Sequence, residues 1–148
     1  MNVEAVFPYL CVSDASAASV FYQQAFHAAE LFRLVEPSGR VGHMELKIGQ
    51  TTVMFCEAFP EFGIACPPPS GARSHQLHLH VDDADAVIAQ ALKAGATLEQ
   101  PAQNQFFGER SGSVLDPFGH RWLIGHEIET ISPEEMQRRY TELFSPSR

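Results

Sequence analysis

The run Gln76-Leu-His-Leu-His-Val-Asp-Asp83, followed by Ala84-Asp-Ala-Val-Ile-Ala-Gln-Ala-Leu92, decides the reading of this chain. Apolar and polar residues alternate as far as Val81, the period of a half-buried strand. From Ala84 the apolar residues recur every three or four positions, the period of a helix. Asp83 stands where the period changes and has the side chain of a helix N-cap. The same grammar occurs 69 residues earlier, in Phe7-Pro-Tyr-Leu-Cys-Val-Ser-Asp14 and the Ala-rich stretch after it. Strand then helix, twice, is the expectation.

Outward from these two runs, the first helix is expected from about Asp14 to His27, burying Ala18, Phe21, Tyr22, Ala25 and Phe26. The second is expected from about Asp83 to Lys93, burying Val87, Ile88, Ala91 and Leu92, with Gly95 at its C′ position. Each helix is followed by extended segments. His43–Ile48 alternates, Gly49-Gln50 turns, and Thr51–Cys56 returns; later Ser111–Asp116, the turn Pro117-Phe-Gly119 and His120–Gly125 repeat the pattern. Gly49 and Gly119 are 70 residues apart, so the repeat spans the whole unit. The reading is an α+β chain of two tandem βαβββ modules. Module one covers about 1–59 and module two about 74–129. Between them Pro60–Arg73, with Pro67-Pro-Pro-Ser-Gly71, reads as a linker because proline cannot continue a strand. Ser132, Pro133, Glu134 and Glu135 announce a C-terminal helix over about 132–144.

The 148 residues are one domain's worth, able to bury a core without staples. With 45% hydrophobic and 19% charged residues the composition is that of a globular protein. A formal charge of −8 and the lack of any Lys/Arg cluster argue against nucleic acid and anionic membranes as partners. No segment reaches the roughly 18 apolar residues of a membrane span, and the first residues lack an export signal, so a cytoplasmic protein is expected. Cys11, Cys56 and Cys66 are odd in number and widely spaced, and read as reduced packing thiols.

Alternation also assigns faces. Pro8, Leu10 and Val12, with Leu77, Leu79 and Val81, are expected to face the helices, as are Met44, Leu46 and Ile48. That leaves Phe7, Tyr9, Cys11, His43, Glu45, Gln76, His78 and His80 on an opposite, concave side. Val53 or Phe55 and Leu123 are expected there from the returning strands, with Phe106 and Phe107 as further walls. An apolar floor with a few polar groups is the usual character of a small-molecule site. His43 and Glu45, two apart on one strand, suit a general acid/base pair and equally a structural polar pair. Arg110 is read either as meeting an anionic ligand at the cleft mouth or as one half of a surface salt bridge. His27, His120 and His126 are read as structural.

Several short motifs occur in order along nearly the whole chain: Phe21-Tyr-Gln-Gln-Ala-Phe26, His43-Met-Glu45, Val81-Asp-Asp83, Lys93-Ala-Gly-Ala96, Gln105-Phe-Phe-Gly-Glu-Arg110, Asp116-Pro-Phe-Gly-His-Arg-Trp122 and Ser132-Pro-Glu-Glu-Met136. Together they resemble the vicinal-oxygen-chelate (glyoxalase, bleomycin-resistance, dioxygenase) superfamily, in its PhnB-like branch. The resemblance implies curved mixed sheets forming half-barrels, helices on the outer face, and commonly a homodimer. Metal-dependent members carry His/Glu/Gln ligands at positions that fall here on Phe7, Val53 or Phe55, Gln76 and Leu123. Of these only Gln76 can donate, and one ligand does not make a metal site.

Three functions follow. The first is a small-molecule binder using Phe7, Tyr9, Phe55, Gln76, His78, Phe107, Arg110 and Leu123, with no cofactor and no metal. The second is an enzyme of lyase, isomerase or dioxygenase type. It would use His43 and Glu45 for proton transfer, or one divalent metal at a non-standard site drawn from His43, Glu45, His78 and His80. The third is a dimeric accessory module without a ligand.

Overall fold

The computed structural model describes residues 1–146. The first module runs β1 (Tyr9–Cys11), α1 (Ala15–Phe26), β2 (Ala29–Val35), β3 (Val41–Ile48) and β4 (Thr51–Cys56). The second runs β5 (Leu77–His80), α2 (Ala84–Ala94), β6 (Thr97–Asn104), β7 (Glu109–Leu115) and β8 (Arg121–Glu127), and α3 (Pro133–Glu142) follows. The architecture is two βαβββ modules and a C-terminal helix. The sheets are ordered β1-β4-β3-β2 and β5-β8-β7-β6. In each, the first strand pairs parallel with the last and the other pairs are antiparallel.

Local chemistry sets the helix ends. Asp14 accepts from the Ala17 N–H, Asp83 from Ala86 and Ser132 from Glu135, each satisfying a donor that the first turn leaves open. Gly95 closes α2 at φ 123°, a backbone angle that favours glycine. Among the described residues no helix is long and apolar enough to cross a membrane.

The helix-facing sides of the two sheets share one apolar core, in which Leu10, Val12, Phe21, Tyr22, Met44, Leu46 and Phe55 meet Ile88, Ala91, Val114, Trp122 and Ile124. A buried polar knot joins the modules inside it. The Asp116 carboxylate accepts from the Tyr22 hydroxyl of α1, from Trp122 Nε1 at 2.9 Å, and from the backbone N–H groups of Phe118 and His120 at 2.9 Å. Burial, and then the neighbouring Asp116 charge, push the Tyr22 phenol well above its usual range, so Tyr22 remains the donor. His120 adds a second tie, with Nε2 2.8 Å from the Cys11 carbonyl oxygen.

The segment expected to be a bare linker contains a turn of 3-10 helix at Pro60–Phe62 and folds back over β1. Cys66 Sγ lies 3.1 Å from Cys11 Sγ, and Cys11 is the direct register partner of Cys56. The three thiols that sequence spacing kept apart are therefore neighbours. Arg73 fastens the segment by donating to the carbonyl oxygens of Pro68, Gly71 and Gly119.

Candidate functional site

The face of the second sheet turned away from the helices is set by pairing. Residues opposite one another in a ladder point to the same side. Val114 and Trp122 are opposite each other in the core, so Ser113 with Leu123, Ser111 with Gly125, and Glu109 with Glu127 lie on the side away from the helices. His78 is in register with Leu123 and His80 with Gly125, which puts both histidines on that side too. There a cleft of about 490 Å³ is lined by Gln76, Gln100, Gln105, Phe107, Ser111, Ser113, Leu123 and the Glu99–Arg121 ion pair. Ser111 Oγ is buried and has no hydrogen-bond partner among the described residues. The cleft therefore combines amide and hydroxyl groups with an aromatic and an aliphatic wall.

On the first sheet the same argument brings Tyr9, His43 and Glu45 to one side. Tyr9 Oη is 2.7 Å from His43 Nδ1, and His43 Nε2 is 2.7 Å from Glu45 Oε2, a continuous polar chain. Phe32 lies against the His43 ring at 5.7 Å between centroids. Burial, followed by the charges of Cys56 and Glu45, raises the Tyr9 phenol above its ordinary value.

One expectation, Phe55, is corrected, and of the two readings of Arg110 the ion pair is the one observed. Phe55 is 0% exposed and packs on Tyr22 at 5.2 Å between ring centroids, so it lines the core and not a cleft. The reason is register: Met44 pairs with Phe55 and Leu46 with Val53, so both returning residues share the core face, and Met54 is the one opposite Glu45. Arg110 points away from the cleft. It alternates with Glu109 and Ser111 on β7 and makes a two-pronged pair with Asp85 of α2 at 2.6 and 3.0 Å. That pair holds the Asp85 carboxyl below its usual range. Phe7 precedes β1 and is exposed. Gln76, Phe107 and Leu123 do line the cleft.

The structure brings His78 and His80 together with Glu109, not with His43 and Glu45. Glu109, Gln105, Ser111, Ser113 and Arg121 are cleft-side residues that the sequence reading did not single out. The alternation of β7 was the signal that could have found Ser111 and Ser113. His126 is structural, its Nδ1 accepting the Ala84 N–H at the start of α2 at 2.9 Å.

The metal positions implied by the resemblance do not fit a metal. Val53 and Phe55 face the core, Leu123 has no donor atom, Phe7 is a phenyl ring, and Gln76 alone cannot hold an ion.

A family model described as Glyoxalase/Bleomycin resistance protein/Dioxygenase superfamily matches residues 4–124. The chain is 40% identical over 141 residues to the uncharacterized protein Mb0911c of Mycobacterium bovis, covering 93% of each. Among solved structures it is similar to the At5g48480 gene product of Arabidopsis thaliana, with a TM-score of 0.65 and 27% identity over 83% of this chain and 98% of that one. TioX from Micromonospora sp. ML1 matches with a TM-score of 0.63 and 25% identity over 87% and 100%. The fosfomycin resistance protein FosX of Listeria monocytogenes shares the fold, with a TM-score of 0.65 at 16% identity over 92% and 99%.

Proposed function

We propose, on the premise that this chain belongs to the glyoxalase/bleomycin resistance protein/dioxygenase superfamily, that it binds a small molecule in the concave cleft of its second module without the metal set usual in that family. The observation that carries this reading is the cleft itself: about 490 Å³, with Leu123 and Phe107 as apolar walls and Gln76, Gln105 and Ser111 as hydrogen-bonding groups. Such a volume suits a drug-sized molecule, and few, placed polar groups are what orient one. The PhnB-like motifs quoted above make that branch part of the same proposal, as is a cytoplasmic setting.

A homodimer belongs to the proposal too. Tyr9, Phe32 and Leu34 stand exposed on the concave side of the first sheet, and β2 is an unpaired edge, a combination that proteins cover. The test of binding is a thermal-shift screen of wild type against Leu123→Arg, which fills the cleft with a charged chain. Compounds that stabilise the wild type and not the variant support the reading, and stabilisation equal in both counts against it.

The Tyr9–His43–Glu45 chain favours a second reading, proton transfer on a substrate at the first sheet. Turnover of a substrate found in the same screen, abolished in His43→Ala and retained in Leu123→Arg, would favour it over the binder.

A further inference from the structure

Glu109 is the least expected residue of the second sheet. Its side chain is only 13% exposed, and one oxygen, Oε1, is buried with no hydrogen-bond partner among the described residues. A carboxylate oxygen withdrawn from water without a partner is costly, and such groups are normally satisfied by a donor or a cation. The atoms nearest this oxygen with the right chemistry are His78 Nε2 at 3.7 Å and His80 Nδ1 at 3.6 Å. Both distances exceed a hydrogen bond. They are close to the roughly 3–3.5 Å that separates donors each about 2.0–2.2 Å from a shared ion. All three donor atoms lie within 4.8 Å of one another.

The backbone is arranged to allow this meeting. Glu109 is on β7 and the histidines on β5, with β8 between them. The β8 residue in register with His80 and Ser111 is Gly125. A Cβ there would stand 2.9 Å from Ser111 Cβ, a clash, but 3.5 Å from Glu109 Oε1, an ordinary contact, so the glycine serves the close approach of Ser111 and lies beside the carboxylate.

We infer that His78, His80 and Glu109 form a binding site for a divalent transition cation such as Zn²⁺, at a place distinct from the family's ligand positions. Two imidazoles and one carboxylate on one side of the ion are a recognised set for zinc and non-haem iron. The His80 side chain is 72% exposed, so the remaining coordination positions face water, as in sites that bind an exogenous ligand. Glu127 lines the adjoining surface beside His80 and Glu109 and adds a negative group there, whereas Glu129 is already paired with Arg139. The site stands independently of any organic ligand in the neighbouring cleft.

The experiment is titration of the untagged, metal-free chain of 148 residues with Zn²⁺ by calorimetry, with Co²⁺ absorption as a report on the ligand atoms. The expected result is one Zn²⁺ per chain. Affinity should fall more than about 100-fold in Glu109→Gln and in His80→Ala, beyond what a merely supporting residue gives. His43→Ala and Glu45→Gln should bind as wild type. His80→Ala removes an exposed side chain, so its far-UV spectrum should be unchanged and loss of Zn²⁺ from it cannot be ascribed to unfolding. Absence of stoichiometric Zn²⁺ binding, or binding indifferent to both Glu109 and His80, overturns the assignment.

Discussion

Replacing Tyr22 with Phe removes one hydroxyl and leaves the packing volume in place. Tyr22 and Asp116 are both buried, and the hydroxyl donates to a carboxylate that holds the two modules together. A hydrogen bond to a charged group contributes about 1.5–3 kcal/mol net. The carboxylate is not stranded by the change, because Trp122 Nε1 and the backbone N–H groups of Phe118 and His120 remain. The cost is therefore expected in that range and below the roughly 3–5 kcal/mol of an abandoned buried charge. For a chain of this size it corresponds to a fall in Tm of roughly 3–12 °C. Urea unfolding followed by the fluorescence of Trp122, the single tryptophan, reads it directly. Asp116→Ala strands the Tyr22 hydroxyl and the Trp122 N–H together and should cost more. A loss under about 0.5 kcal/mol in Tyr22→Phe, the level of an ordinary surface change, would refute the reasoning that this bond ties the modules.

Other consequences follow from the same geometry. Burial pushes the Cys11 and Cys56 thiols up, so at neutral pH both stay protonated and react slowly. Limiting iodoacetamide followed by peptide mass mapping should find Cys66, the most accessible of the three, labelled first. Glu135, held by Arg138 and Arg139, has its carboxyl lowered from 4.5 to about 2. A depressed carboxyl stabilises above its unfolded value, and that contribution disappears as pH falls from about 4.5 toward 2. Hydrogen exchange from the α3 amides, corrected for intrinsic rates, should accelerate over that window and should already be faster at pH 7 in Arg139→Ala. His126→Ala deprives the Ala84 N–H of its acceptor and should lower stability by about 1 kcal/mol, the usual cost of a lost helix cap, in the same urea assay.

Much of the architecture was legible in the chain itself, because strand and helix periods, N-caps and turn residues are local properties. Asp14, Asp83 and Ser132 cap the helices they were expected to cap. β2 and β6 were less legible: both carry register shifts that break the two-residue alternation. The placement of Phe55 failed for a pairing reason. Alternation within β4 permits either face, and only the register with Met44 and Leu46 selects one.

The sequence by itself determined the two-module repeat, its helix boundaries and the outward parity of Gln76, His78 and His80, all from residues near one another in the chain. The tertiary structure decided which outward residues meet. Glu109 comes within 3.6–3.7 Å of His78 and His80 because the sheet order puts a single strand, β8, between theirs. Arg110 turns to Asp85, and the three cysteines converge under the folded-back segment. These contacts join residues 25 to 55 or so positions apart, and such pairings depend on sheet order and register, which no local period encodes.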